Sequence, residues 1–318
     1  MENEVTLDAK TIHWEREAIE KLLMADVRER RAARRWRMFK SLLWMLLIGA
    51  VAWLLWSDGL PSSTPAVPHT AMVVIRGEIA DEAEASAEYV LPALRAAMED
   101  KNAKALVLLI NSPGGSPVQA GLINDEIRRL RALHDKPVYA VVEEMAASAA
   151  YYIASAADKI YVDKASIVGS IGVLMDGFGF VDTLHKLGIE RRLLTAGENK
   201  GFLDPFSPQT EAQRAYAQKM LDQIHQQFIN AVKQGRGDRL KETPEMFSGL
   251  FWTGEQSVQL GLADSLGSLD QVAREVVQAE ELVDYSNKKN LAERFAKRFG
   301  AAMGEGAVRA LGAVPSLR

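Results

Sequence analysis

The chain of 318 residues contains no cysteine. That excludes disulfides, a thiolate nucleophile and thiolate-bound metal, and it leaves reducing and oxidising compartments equally open. Histidine is scarce, with five residues and none between Ser148 and His185. His69 falls in a linker and His134 in a helix-ending loop, so no Ser/His/Asp order forms. His225 sits beside the apolar stripe of a helix without a metal-like partner at i+4, which describes a packed or solvent-facing histidine rather than a ligand. No stretch repeats another, so the chain reads as a single unit rather than a tandem array. What remains, 48% hydrophobic and 25% charged with net charge −4, is the composition of an ordinary folded protein.

Long apolar runs are also few. The one that stands out is Ser41–Trp56 (SLLWMLLIGAVAWLLW), 16 residues without a charge. A membrane span takes roughly 17–25 residues, so Lys40 must snorkel for this run to cross. Trp36, Trp44, Trp53 and Trp56 set indoles near both ends, as interfacial belts do. Arg28, Arg30, Arg31, Arg34, Arg35, Arg37 and Lys40 flank its N-terminal side, and Asp58 alone carries charge from Ser57 to Ile75. The positive-inside rule then places residues 1–40 in the cytoplasm and the rest outside. A basic block before an apolar run reads as a topology signal rather than a nucleic-acid arm. A cleaved signal peptide would need a far shorter basic region than 40 residues.

The expected organisation is a cytoplasmic amphipathic basic segment (1–40), a transmembrane helix (41–57), a Pro/Ser linker (58–70), a catalytic domain (71–285) and a basic amphipathic tail (286–318). The arginine-rich end of the first segment either lies on anionic lipid or is simply solvated. Within 71–285, strand and helix patterns alternate. Met72–Arg76, the continuous apolar run Ala105–Ile110, Pro137–Val142 and Lys159–Val162 read as strands. Tyr89–Met98, 117–134, 147–156 and Thr210–Gln234 read as helices. The 117–134 helix is expected to bury Val118, Leu122, Ile127 and Leu130, and the last helix to bury Met220, Leu221, Ile224, Phe228 and Val232. This alternation implies an α/β domain with mainly parallel strands.

The chemistry concentrates in three segments. Asn111-Ser-Pro-Gly-Gly-Ser116 follows a strand and precedes a helix. Its Gly114 and Gly115 can adopt backbone angles closed to other residues and aim N–H groups at a developing oxyanion, or form only a strand–helix turn. The GxxxxGK[ST] spacing of a phosphate loop is absent. Ser148, among Ala146, Ala147, Ala149 and Ala150, lies just past a strand at a helix start. It is either an N-cap or a nucleophile whose small neighbours let a peptide approach. Adjacent parallel strands would bring both loops to one sheet edge. With no histidine available, the base would be Lys200. A lysine serves only when neutral, which requires its pKa to fall from ~10.4 towards ~7–8, about 4 kcal/mol of desolvation. Phe202, Pro205 and Phe206 nearby allow partial burial, and an exposed loop lysine is the alternative.

At these residues the chain resembles the signal peptide peptidase A type of serine peptidase, across roughly residues 70–280. The matching segments are Asn111-Ser-Pro-Gly-Gly115, Met145-Ala-Ala-Ser148 with Tyr151-Tyr152, and Ala156-Ala-Asp-Lys-Ile160. Val168-Gly-Ser-Ile-Gly-Val173, Gly197-Glu-Asn-Lys200, Gly235-Arg-Gly237 and Gly261-Leu-Ala-Asp-Ser-Leu-Gly267 continue in the same order. The resemblance implies a Clp-protease/crotonase-like α/β spiral of ββα units, preceded by one transmembrane helix. It implies Ser148 as nucleophile, Lys200 as general base, Gly114, Gly115 and Ala149 at the oxyanion hole, and Ser170 orienting the lysine, with no metal or cofactor. Similar single-unit proteins form homo-oligomeric rings in which serine and lysine meet across a subunit boundary. One departure is visible: the family has Gly-Gly after the serine and this chain has Ala149-Ala150, which keeps the N–H of residue 149 but adds a methyl and disfavours positive φ.

The expected function is a membrane-anchored endopeptidase of the bacterial inner membrane, with its catalytic domain outside the cytoplasm. Its partners would be the lipid bilayer and apolar peptides such as cleaved signal peptides, and not nucleic acid. The competing readings are a catalytically weak membrane scaffold of the same fold, motivated by Ala149-Ala150, and a crotonase-type acyl-CoA enzyme, whose thioester substrates an exported domain would lack.

Overall fold

The computed structural model describes residues 34–50, 53 and 67–286. Residues 34–50 form a helix, α1, whose described side chains are all exposed; Trp36 stacks on Phe39 and Lys40 Nζ lies 5.3 Å above the Trp36 ring. Among the described residues no helix is long and apolar enough to cross a membrane. Residues 51–52 and 54–57 of the expected span lie outside the described residues. So do the N-terminal segment before residue 34, the linker to residue 66 and the tail beyond residue 286.

The second unit is an eight-stranded sheet with helices. In chain order its elements are β1 (His69–Arg76), α2 (Ala87–Glu99), β2 (Ala103–Ser112), α3 (Pro117–Leu133), β3 (Val138–Ala147), α4 (Ala149–Ala154), β4 (Lys159–Val162) and β5 (Ile167–Gly169). Then follow α5 (Val181–Lys186), α6 (Glu211–Arg236), β6 (Phe251–Thr253), α7 (Gly254–Gln259), β7 (Ser265–Leu266), α8 (Leu269–Gln271) with a wider π turn to Val277, and β8 (Leu282–Asp284). The strand path is β6-β5-β3-β2-β1-β8, with β4 and β7 branching from β3; every pair is parallel except β5–β6.

The branch follows from one irregularity. β3 pairs with β4 through Tyr139–Val142 and with β5 through Met145–Ala147. On its other side, Ile110 faces Val142 but Ser112 already faces Ala146, so β3 carries two extra residues at this point. Buried Ser166 splints the bend by donating its hydroxyl to Glu143 O at 2.5 Å. The sheet therefore splits just before Ser148, and β5 is brought alongside the residues that lead into it.

The central strands bury both faces, as their unbroken apolar runs require. Leu106, Leu108 and Ile110 enter the larger core with Val73, Ile75, Ala140 and Val142. Val107 and Leu109 point the other way, onto Val141, Tyr161 and Val272. α3 starts at Ser116, whose hydroxyl accepts from Gln119 N–H, with Pro117 in the first turn. Its buried stripe is Ala120, Ile123, Ile127 and Leu130. The expected Val118 and Leu122 are instead 69% and 48% exposed, because Ala120 and Ile123 take the core-facing phase. In α6 only Phe228, Ala231, Val232 and Arg236 are buried; Met220, Leu221 and Ile224 are half-covered. His69, expected in the linker, opens β1 fully buried, its Nε2 3.0 Å from the Tyr285 hydroxyl, which donates to Asp100.

Candidate active site

β3 ends at Ala147 and α4 begins at Ala149, so the chain turns at Ser148 alone. Ser148 has φ 53° and ψ −125°, a region that costs a side-chain-bearing residue about 1–3 kcal/mol and persists only where its surroundings impose it. Three contacts do so here. The Ser148 N–H donates to Gly169 O at 2.8 Å, its carbonyl accepts from Tyr152 N–H at 3.0 Å, and Gly114 lies against it. A serine at a helix start is ordinarily a cap, yet this side chain makes no capping hydrogen bond, and the residue is half-buried. The hydroxyl is left free for chemistry.

The Pro113-Gly114-Gly115 turn is held by the chain that follows β1. Ile79 N–H donates to Gly114 O at 2.9 Å, and Ser116 N–H donates to Ile79 O at 2.7 Å. A Cβ on Gly115 would stand 2.1 Å from Ile79 O; one on Gly114 (φ 103°) would stand 2.7 Å from both Ala147 O and Ser148 Cβ and 3.0 Å from Ala149 N. Glycine is required at both positions for this approach. The Gly114 N–H is already committed to Ser112 Oγ at 3.1 Å, which corrects its expected part as an oxyanion donor. Gly114 contributes its missing side chain. The Gly115 and Ala149 N–H groups have no hydrogen-bond partner among the described residues, the second because the first N–H groups of a helix have none within it.

Ala149-Ala150 is better tolerated than the sequence suggests. The positive φ falls on Ser148 and not on residue 149, and both alanines are buried, at 4% and 0% exposure. Their methyl groups therefore pack inward, which removes the motive for a catalytically weak scaffold.

Ser170 is brought next to Ser148 by register, since Ala147 pairs with Gly169. It too has positive φ, at 50°, and its N–H donates to Leu250 O at 2.8 Å. Gly169 lies under the Trp252 indole, where a Cβ would be 2.8 Å from the ring. Lys200 sits in a turn closed by its own N–H to Gly197 O at 3.1 Å, at the end of an exposed stretch. Its ammonium has no hydrogen bond or ion pair among the described residues. Phe202 packs edge-on against Tyr216 and Phe206 stacks on Phe180, and Lys200 is exposed, the alternative that the sequence left open.

Two further motif segments prove to be a support that the sequence did not reveal. Arg236, 1% exposed, donates to Gly261 O at 2.9 Å and Asp264 at 2.8 Å. Gly235 abuts Ser155 O so closely that a Cβ would stand 1.8 Å away. Burial alone would raise the Asp264 pKa; the Arg236 hydrogen bond and charge, the Ile160 N–H and Arg239 outweigh it and hold the carboxyl below its ordinary value. Tyr151, wholly buried and with its pKa pushed up by burial, donates to Leu262 O at 2.7 Å. Tyr152 stacks on Phe228 at 5.0 Å. The helix behind Ser148 is thus tied to both α6 and the 261–264 turn.

The sequence model of Peptidase family S49 matches residues 131–283, and that of Clp protease matches residues 64–168, which fits the mixed α/β sheet to a Clp/crotonase-like fold. A putative protease of Methanocaldococcus jannaschii is 32% identical over 209 residues, 64% of this chain and 67% of that protein. A putative signal peptide peptidase SppA of Enterococcus faecium is 29% identical over 218 residues, 66% of this chain and 63% of that protein. A protein of Brucella melitensis named as the Na(+)/H(+) antiporter NhaA is 49% identical over 176 residues, 55% of this chain. The chain spans only 24% of that relative's length, so the shared stretch is a minor part of it.

Proposed function

The chain belongs to peptidase family S49, as an SppA-type member, and on that premise we propose that it is a membrane-anchored serine endopeptidase with a Ser148/Lys200 dyad. The observation that carries this reading is the elbow at Ser148: a strained, half-buried serine whose hydroxyl caps nothing, beside two uncommitted N–H groups. Ser148 Oγ attacks the scissile carbonyl carbon while its proton passes to the neutral Lys200 amine. The oxyanion accepts from the Gly115 and Ala149 N–H groups, each worth roughly 3 kcal/mol in the transition state. The C–N bond then breaks, the leaving amine takes the proton from Lys200, and water attacks the acyl-serine with Lys200 again as base. Ser170, next to Ser148 in register, orients the lysine.

Lys200 needs cover to be neutral, and its own chain leaves it exposed. Leu174, Met175, Phe178 and Leu194 on the same stretch are 82%, 47%, 78% and 96% exposed. Such apolar exposure favours a neighbouring subunit as the cover, so the dyad is completed between protomers of a homo-oligomeric ring. The substrates are short apolar peptides, cleaved signal peptides among them. Residues 41–57 form the anchor, 1–40 stay cytoplasmic, 58–70 link, and the peptidase domain of 71–285 works outside the inner membrane, with 286–318 as a basic tail.

Hydrolysis of a signal-peptide substrate by the full chain tests this. Ser148→Ala and Lys200→Ala should each lower the rate by at least about a thousandfold, and Ser148→Ala should abolish fluorophosphonate labelling. Mixing the two inactive variants and letting subunits exchange should restore part of the activity. Full activity in either variant rejects the dyad; no recovery on mixing, with exchange verified, rejects its intersubunit assembly.

A further inference from the structure

The residues from 172 to the first half of α6 form an arm. Between residues 174 and 200 only Val181 and Leu184 are even half-covered. The arm leaves the sheet just after Ile171, which is fully buried, and the chain is held again from Phe228 onward, where α6 packs on α4. His225 stands at that second point, three residues before Phe228. Its Nε2 lies 3.0 Å from Ile171 O, across 54 residues of sequence. A carbonyl oxygen only accepts, so Nε2 carries the proton and the bond runs from the imidazole to Ile171. One hydrogen bond therefore joins the place where the arm departs to the place where it returns.

Ile171 follows Ser170 directly, and the 169–172 turn is gripped on every side. Gly169 O accepts from Ser148 N–H at 2.8 Å, Ser170 N–H donates to Leu250 O at 2.8 Å, and Gly172 N–H folds back to Ser170 O at 2.9 Å. Gly172 also crosses Gly249 so tightly that a Cβ would stand 3.0 Å from its Cα. β3 and the 249–252 segment hold two sides of the turn. The side facing the arm is held by His225.

We propose that His225 is a positioning residue for the peptidase reaction: through Ile171 it fixes the base of the Lys200-bearing arm to the turn that holds the Ser148 backbone. The route is short, from His225 to the Ile171 carbonyl, back along Ser170 to Gly169, and from the Gly169 carbonyl to the Ser148 N–H. It rests on the Ser148/Lys200 reading. Where an arm's base is loose, both the Ser170 hydroxyl and the Ser148 elbow lose their fixed placement, and misplacement of a reacting group by about 1 Å costs roughly a hundredfold in rate.

The test is steady-state hydrolysis of the signal-peptide substrate by the full chain in detergent. The variants are His225→Phe, which keeps the ring volume and loses the donor, and His225→Gln, whose amide donates from a similar position. His225→Phe should lower kcat by roughly tenfold to a hundredfold with KM within about twofold, and His225→Gln should recover most of the loss. Unchanged kcat in His225→Phe overturns the proposal. So does a His225→Gln variant as slow as His225→Phe at equal thermal stability, since a packing role would not distinguish donor from non-donor. Ser148→Ala and Lys200→Ala are measured in parallel. If either retains hydrolysis, the dyad falls and this proposal with it; if both are dead and His225→Phe is not slowed, only the role of His225 is rejected.

Discussion

At the scale of single residues, the decisive feature is that the elbow is strained at Ser148 itself. Ser148 carries a positive φ that its neighbours impose, whereas Ala149 and Ala150 are ordinary helical residues facing the core. A glycine would enter the same backbone region without the Cβ penalty. Ser148→Gly should therefore be more stable than Ser148→Ala by about 1 kcal/mol, although both lack the hydroxyl. Denaturant midpoints of the two variants check this, and equal midpoints would show that the elbow stores no strain. The serine's place was legible in the sequence from its small neighbours and from the Pro-Gly-Gly turn one unit earlier. Its conformation was not, because φ at Ser148 is set by the first turn of α4 together with Gly169 and Gly114, and these two glycines meet it only through the sheet. The same holds for Gly114, whose N–H is spent on Ser112 and whose value lies in letting two loops touch.

At the scale of elements, the four strand patterns in the sequence became β1, β2, β3 and β4; β4 keeps its expected bounds, whereas β3 runs past its expected end at Val142 to Ala147. The sequence did not show β5, β6 or β7, which are three, three and two residues long. Strands of that length have no periodicity of their own; β5 pairs with β3 past its bend, β6 pairs with β5, and β7 pairs with β4. In α3 two apolar stripes competed, and Ala120 with Ile123 won over Val118 with Leu122. Asn124 faces the core as well, where its amide donates to Tyr152 O at 2.7 Å. Polar residues on a buried face carry no hydrophobic signal, so periodicity misjudged the phase. The clasp between α6 and the 261–264 turn is of the same kind. Arg236→Met should lower unfolding free energy by about 3–5 kcal/mol, because it leaves the largely buried Asp264 carboxylate without its main partner. Thermal denaturation measures it, and a loss below about 1 kcal/mol would place the pair among weak surface bridges.

For the whole molecule, the relevant variable is acid. Glu126, 8% exposed, is held by Arg129 and, across from α2, by Arg95. The Arg129 hydrogen bond is the largest influence; burial opposes it, Arg95 adds to it, and the carboxyl pKa falls from 4.5 to about 2. A depressed folded-state pKa means stability that is complete above the unfolded value and is lost as pH falls towards the folded one. Asp264 acts in the same direction. Stability should therefore decline from about pH 4.5 down to pH 2, and Glu126→Gln should flatten that decline; urea unfolding at pH 5 and pH 3 compares them. Under the proposed dyad, Lys200 would need cover from a second subunit, since its own chain leaves it exposed. Composition and local pattern sufficed for the alternation of strand and helix and for the segments that carry the family resemblance. These depend on residue type and near neighbours. Which N–H groups stay free, which glycine serves by absence, how His225 reaches Ile171 and why Arg236 is buried were decided by tertiary structure alone. The approach of Gly114 to Ser148, the His225 bond and the Arg236 clasp are contacts between segments 25 or more residues apart, which local pattern does not encode.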